Sequence, residues 1–576
     1  MRLFTFFFVL FSMSIFAQKT NKYDTFFEKG NGNQSADYQQ TIDFYQELAK
    51  DFPTIEMQEM GLTDSGKPLH IVIFDADKQF NFGESQKNKA VILLNNGIHA
   101  GETDGIDASM QLFRDLALSR IKIPKNTLVV CIPVYNIGGF LNRNTTSRAN
   151  QEGPEIYGFR GNARNYDLNR DFIKSDTRNT KSFVEVFRRV NPDVFIDNHV
   201  SNGADYQYKL TYIMTQHNKL GLVLGDFLKN EMMPKLVKDL QEKNIETTPY
   251  VNAFTDTPDK GFAQFFESPR YATGYTSLFN TIGFVVETHM LKKYAERVKV
   301  TYEFMQSVLD YTDANYTKIK QLRLKNEEQY QAQKPYTIKW EIDTSKTIPL
   351  SFLGYEASYI KSAVTTGNRL FYDRSKPYKK DIPFNLEYKS VKEIVIPKAY
   401  VISRGFWPVI DLLKSNGVQM QELKKDTIID VESYRIADFK TVNSVYEGHY
   451  LHRNTTVSSV MKKLAFAKGD YIISTAQKGI KYIIETLEPE AVDSYFNWNF
   501  FDTILQQKEG YSSYVFEDTA TKILKDNPKL KAEFEQKKQT DSSFLNNPEA
   551  QLDWIYKNSV YYEKAHLQYP VYRILK

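Results

Sequence analysis

A histidine and a glutamate stand three residues apart in Asn95-Asn96-Gly97-Ile98-His99-Ala100-Gly101-Glu102. At a glycine-containing turn after an apolar run, an imidazole and a carboxylate at that spacing can both face one cation. In a chain with eight histidines, a chance pairing of this kind is expected about half the time, so the pair alone decides nothing. A second imidazole, His199, closes Asp197-Asn198-His199, directly after the apolar run 194–196. Two histidines and one glutamate make the open three-ligand set of a catalytic zinc, with a fourth position left for water. Glu287 ends another apolar run, 283–286. A carboxylate beside that water can remove its proton and hand it to a departing amine. That division of labour is metal-assisted hydrolysis.

Between these groups lies Gly161-Asn162-Ala163-Arg164-Asn165-Tyr166-Asp167-Leu168-Asn169-Arg170-Asp171-Phe172. The Asn169–Arg170 pair can hold a carboxylate, the guanidinium forking onto both oxygens and the amide adding a donor. Asp167 can accept from His99 and fix its tautomer. His289, two residues past Glu287, can line the same pocket or contact Glu287, but as a further zinc ligand it would overfill the site. His70, His217, His449, His452 and His566 have no evident partners and read as structural or surface residues. Cys131 sits in an apolar strand and reads as an inert core thiol.

Bringing these groups together requires strands that end on one rim. From about residue 23 to 316, strand-like runs (70–74, 91–94, 128–133, 194–196, 210–214, 283–286) alternate with helical patterns (105–119, 181–190, 220–242). That alternation indicates a largely parallel α/β sheet with its sites at strand C-terminal ends. A helix at 295–311 closes the unit, and the charged, Gln-rich stretch 321–335 reads as a helix tail or linker. Polar and apolar residues then alternate over 336–396, as in antiparallel strands. A strand at 399–403, a helix at 409–416 and a strand at 417–423 follow. The stretches 491–507 and 520–538 read as helical, with Pro528 breaking the second. No ligand-like cluster stands out beyond residue 336.

The 576 residues call for two to four domains. With 74 basic and 70 acidic residues the net charge is only +4, which argues against nucleic acid as a partner. A single cysteine excludes a disulfide framework and thiolate-rich metal sites. Arg2, a short apolar stretch and Ala17 form a secretory leader over residues 1–17, so export to the periplasm or beyond is expected, with no membrane anchor left in the mature chain.

Taken together, His99-x-x-Glu102, Asp167-x-Asn169-Arg170, His199 and Glu287 resemble, in order and approximate spacing, the funnelin family of zinc carboxypeptidases, across residues 41–311. The resemblance implies an eight-stranded mixed, largely parallel sheet with helices on both faces, and one zinc ion held by His99, Glu102 and His199. It implies Glu287 as general base and acid, with Asn169 and Arg170 on the substrate's terminal carboxylate. The family also has an arginine for the oxyanion. Arg143 and Arg148 compete for that role, and Arg148 is preferred because Arg-x-Asn precedes the Asp-x-Asn-Arg segment. No tyrosine falls at the spacing of the family's substrate-covering tyrosine; Tyr271 is the candidate substrate contact, with a core aromatic as the alternative reading of Tyr271 or Tyr275. Arg270 is a candidate substrate anchor.

The implied organisation is a leader (1–17), a zinc carboxypeptidase-like catalytic domain (18–320), a β-rich or α/β accessory domain (336–460) and a mostly helical C-terminal region (461–576). The expected activity is removal of C-terminal residues from peptides carrying a free carboxylate. A peptidoglycan stem peptide or an N-acyl amino acid on the same zinc site is the alternative. An inactive binding module is the reading of another class, against which the complete set of ligands and base argues.

Overall fold

The computed structural model describes residues 22–253, 256–332 and 335–575. The leader expected over 1–17 lies outside these residues. Among the described residues, no helix is long and apolar enough to cross a membrane.

Eight strands form the central sheet: β1 (Ile55–Leu62), β2 (Pro68–Phe74), β3 (Ala90–Asn96), β4 (Thr127–Ile132), β5 (Val194–Ser201), β6 (Leu210–Met214), β7 (Thr247–Pro249) and β8 (Ile282–His289). Their spatial order is β1-β2-β4-β3-β5-β8-β6-β7. The four central strands, β4, β3, β5 and β8, are mutually parallel. Antiparallel pairing joins β1 to β2, β2 to β4 and β6 to β8. β3 is buried along its whole length, as an apolar run in the middle of a two-sided parallel sheet must be. All six expected strands form, most of them a few residues longer than expected. β1 and β7 were not expected. β1 is an edge strand rich in Glu and Gln whose only fully buried residue is Ile55, so it carries little apolar signal.

Helices α1 (Tyr38–Asp51), α2 (Asp104–Ala117) and α5 (Tyr294–Ala332) pack one face of the sheet through Tyr45, Leu48, Phe113, Phe304 and Val308. Between them in sequence come α3 (Arg178–Val190), on the opposite face, and α4 (Met233–Glu242). α5 continues through residues 321–332, so that stretch is a helix tail.

Residues beyond 336 do more than follow. Two antiparallel pairs form over 336–396: Tyr336–Ile342 with Tyr388–Ile394, and Ile348–Lys361 with Asn368–Asn385. A six-stranded sheet then combines Ala399–Ile402, Gln421–Glu422, Thr427–Thr441, His452–Phe466 and Tyr471–Ser474 with Gln568–Ile574 from the far end of the chain. The 461–576 stretch is therefore helical only in part. Two local expectations fail. Only Gln421–Glu422 of the strand expected at 417–423 forms. The stretch 491–507 is turns and one 3₁₀ turn, Asp502–Leu505, instead of a helix. Four of its aromatic residues, Tyr495, Phe496, Trp498 and Phe501, are fully buried and Phe500 partly so, more than one helical face could bury. Pro528 does separate two helices, Ser513–Asp526 and Pro528–Thr540.

The second face of the central sheet shares one core with this later region. Phe172, Phe183 and Tyr275 pack with Tyr400, Val409, Leu413, Tyr482 and Trp498. Each such fully buried side chain contributes roughly 1.5–3 kcal/mol, against a total domain stability of about 5–15 kcal/mol. A chain ending at Ala332 is therefore expected to lose cooperative thermal unfolding in calorimetry. A sharp transition near that of the full chain would show instead that the two parts fold separately.

Candidate metal centre and its cavity

β3 stops at Asn96, and the chain turns at Gly97 (φ 66°), where a Cβ would sit 3.1 Å from the Ile106 side chain. The turn carries His99 and Glu102 to the start of α2. Gly105 then lets the helix close on β5, since a Cβ there would meet the Asn198 Cβ at 2.3 Å. Strand register places the other groups. β3 and β5 are locked by Asn95 donating to Asp197 (2.9 Å) and Asn198 donating to Asn96 (2.7 Å). In the next pair, His199 of β5 lies directly opposite Glu287 of β8, so both side chains leave the same face of the sheet.

His99, Glu102 and His199 converge, all buried, with one ligand atom of each within 4.8 Å of the others. No other grouping of three His, Cys, Asp or Glu of this kind occurs among the described residues. The His99 and His199 Nδ1 atoms are 3.2 Å apart. Glu102 Oε1 lies 3.3 Å from His99 Nδ1, and Oε2 lies 3.2 Å from His199 Nδ1. Two nitrogens bound to one tetrahedral cation at about 2.0–2.1 Å would stand about 3.3 Å apart, so the donor set fits zinc. Behind the rings, His99 Nε2 meets Asp167 Oδ1 at 3.1 Å and His199 Nε2 meets Asp197 Oδ2 at 2.9 Å. Each carboxylate fixes its imidazole with Nδ1 facing the centre.

These groups open into a cavity of about 670 Å³ that is also lined by Arg148, Arg160, Asn169, Arg170, Ile213, Tyr250, Phe265, Glu267, Tyr271 and Glu287. Asn169 Oδ1 accepts from the Ala272 N–H at 3.4 Å, which leaves its NH₂ as a donor. The Arg170 guanidinium lies 4.4 Å over the Tyr271 ring.

Part of the chain is similar to known proteins. Residues 41–213 match the zinc carboxypeptidase family, peptidase M14. The chain is also similar to carboxypeptidase 2 of Trichophyton equinum, with 20% identity across 75% of this chain and 78% of the relative. Carboxypeptidase 2 of Trichophyton rubrum is 20% identical across 78% and 81%. Among solved structures, the carboxypeptidase A of Helicoverpa armigera is 13% identical and covers 48% of this chain and 74% of that one, with a TM-score of 0.37.

Around this cavity, charge is strongly organised. Burial alone would raise the Glu102 pKa, but Arg148, His99 and His199 outweigh it and hold the carboxyl well below its usual range. Burial opposes charge on His199 too, yet Asp197, Glu102 and Glu287 push its pKa well above the ordinary imidazole value. Asp167 stays ionised because His99, Arg160 and Arg170 overcome its desolvation. Glu287 behaves in the opposite sense. Desolvation, reinforced by Glu102, Glu267 and Asp197 and opposed by His199, pushes it up to about 8, and its Oε2 has no hydrogen-bond partner. An acid left unpaired beside a cation site is a group free to exchange a proton.

The structure separates the two candidate arginines. Arg148 donates to Glu102 Oε1 at 2.8 Å on the cavity wall. Arg143 is spent on the carbonyls of Ser35, Ala36 and Ile156, away from the cavity. Arg270 departs from expectation. Its guanidinium pairs with buried Asp493 at 2.7–2.8 Å and stacks over Trp498, so it is not an anchor in the cavity. Tyr271 has extended backbone, and neighbours in extended chain point opposite ways: Tyr271 into the cavity, Arg270 away from it. Tyr275 is buried and donates to Asn416, as a core residue.

His289 neither lines the cavity nor touches Glu287; it is fully buried, packs on the Tyr206 ring at 4.2 Å and accepts from the Tyr206 N–H. The other five histidines pair outside the cavity, His70 with Glu59, His217 with Glu387, His449 with Asp176, His452 with Asp502 and His566 with the Tyr562 hydroxyl. Cys131 is buried with its thiol pushed up to about 12 by desolvation, which makes it unreactive. Sequence reasoning missed Asp197, Arg160, Tyr250 and Glu267. Only Asp197 carried a usable signal, since residues two apart on a strand share a face.

Proposed function

We propose that the protein is an exported metallocarboxypeptidase with one zinc ion held by His99, Glu102 and His199. The observation that carries this reading is that the three ligands, the unpaired Glu287 and the Asn169–Arg170 pair all open into one cavity. Zinc, when bound, supplies a Lewis acid that polarises the scissile carbonyl and makes the attacking water more acidic. The chain's own residues do the rest. Arg170 and Asn169 hold the terminal carboxylate and set which bond is presented. Glu287 takes the water's proton and returns it to the departing amine. Arg148, which lines the same cavity, is the oxyanion donor of this reading. Asp167 and Asp197 keep both imidazoles aimed.

Peptides with free and amidated C-termini test the carboxylate anchor. A hydrogen bond between charged groups contributes about 1.5–3 kcal/mol, so amidation is expected to lower kcat/KM by roughly 10- to 150-fold. Arg170→Gln should erase most of that difference. Hydrolysis indifferent to amidation in the wild type would rule out the anchor.

A further inference from the structure

The hairpin joining Thr427–Thr441 to His452–Phe466 ends in a tight turn where Tyr446 and His449 exchange backbone hydrogen bonds at 2.8 and 3.1 Å. Both central residues have positive φ, Glu447 at 49° and Gly448 at 81°. Turns of this kind favour Asn-Gly or Asp-Gly, and a glutamate in that conformation is disfavoured by its own Cβ. Such a residue persists where its side chain has work to do.

Glu447 Oε2 accepts the backbone N–H of Asp167 at 2.9 Å. Asp167 is the hub of the site. Its Oδ1 faces His99 Nε2 and accepts the Asn169 N–H at 2.9 Å, while Oδ2 takes Arg160 Nε at 3.0 Å. The rest of the turn clamps the same segment. His449 Nε2 meets Asp176 Oδ2 at 2.7 Å, and a Cβ at Gly448 would stand 2.7 Å from the Tyr166 hydroxyl. Tyr446 lies against both Arg170 and Arg270, the latter held by Asp493.

We propose that the turn Tyr446–His449 is a positioning element for the Asp167–Arg170 segment, and that Glu447 is its positioning residue. The region beyond 336 thereby completes the cavity, although it supplies no metal ligand. This inference rests on the reading of Asn169 and Arg170 as the carboxylate anchor.

Two variants of the full-length, zinc-loaded protein test it. Glu447→Gly removes the acceptor and relieves the backbone; Glu447→Gln keeps an acceptor oxygen. For a peptide with a free C-terminus, Glu447→Gly is expected to raise KM roughly 10-fold, the low end for loss of an outer-shell partner, with a smaller change in kcat. Amide exchange across residues 161–172 should speed up while Tm holds or rises. Glu447→Gln should restore KM and slow exchange. Wild-type KM and unchanged exchange in the Gly variant would overturn the proposal. So would a fall in Tm and kcat with KM unmoved, since that is the mark of a merely structural turn. If wild type ignores C-terminal amidation, the anchor reading fails, and the exchange data still decide whether Glu447 positions Asp167.

Discussion

Glu287→Gln is expected to lower kcat/KM for peptide hydrolysis by about 10²–10⁴-fold, the range for loss of a positioned proton-transfer group. Bound zinc, measured by elemental analysis, should stay at the wild-type level, because Glu287 is not one of the three converging ligands. Stability should move the other way. In the folded metal-free protein Glu287 titrates near 8, above the 4.5 of a free glutamate. A carboxyl raised on folding favours the protonated form, so it costs stability increasingly as pH climbs from about 4.5 to 8. Glutamine removes that cost. Metal-free Glu287→Gln should therefore melt higher than metal-free wild type at pH 8 and close to it at pH 4. A divalent cation beside the carboxylate pulls its pKa down, so the acidic limb of the activity profile should fall below 8. Full activity in Glu287→Gln would remove it as the base.

Much of this site was legible because parallel strands deliver their C-terminal ends to a single rim. His199 and Glu287 each follow an apolar run, and the register that sets them side by side follows from two adjacent parallel strands. His99, Glu102 and Asp167 could be read because a cation site demands particular donors and those donors demand partners. Arg270 shows where that reasoning stops. Its partner Asp493 lies more than two hundred residues away, and nothing local distinguishes an arginine reaching into a cavity from one neutralised behind it. The stretch 491–507 went wrong for a related reason. Its helix-compatible composition was overridden by burial of aromatic side chains on all sides, against a core assembled from both halves of the chain. Glu447 carried no sequence signal either, since its importance comes from the backbone amide it meets.

The metal centre should also report its own proton. With burial overcome by Asp197, Glu102 and Glu287, His199 holds a proton in the metal-free protein well above the ordinary imidazole pKa. A histidine raised on folding stabilises the fold fully below its unfolded value, near 6.5, and loses that contribution as pH rises through the folded pKa. Zinc must displace this proton to reach Nδ1, so uptake should release it into solution. Below the folded pKa, zinc affinity is expected to fall about tenfold per pH unit, measurable by competition with a chelator at several pH values. Asp197→Asn should flatten that dependence by removing the carboxylate that holds the proton. It should also weaken zinc binding about 10- to 100-fold at high pH, where the aim of the ring matters more than its charge. Stripping the metal should abolish hydrolysis and lower Tm, because zinc at 1,000 times its Kd contributes about 4.1 kcal/mol to the folded state. Affinity independent of pH between 5 and 8 would mean that His199 is already neutral before the cation arrives, and the charge balance drawn around Glu102 would then be wrong.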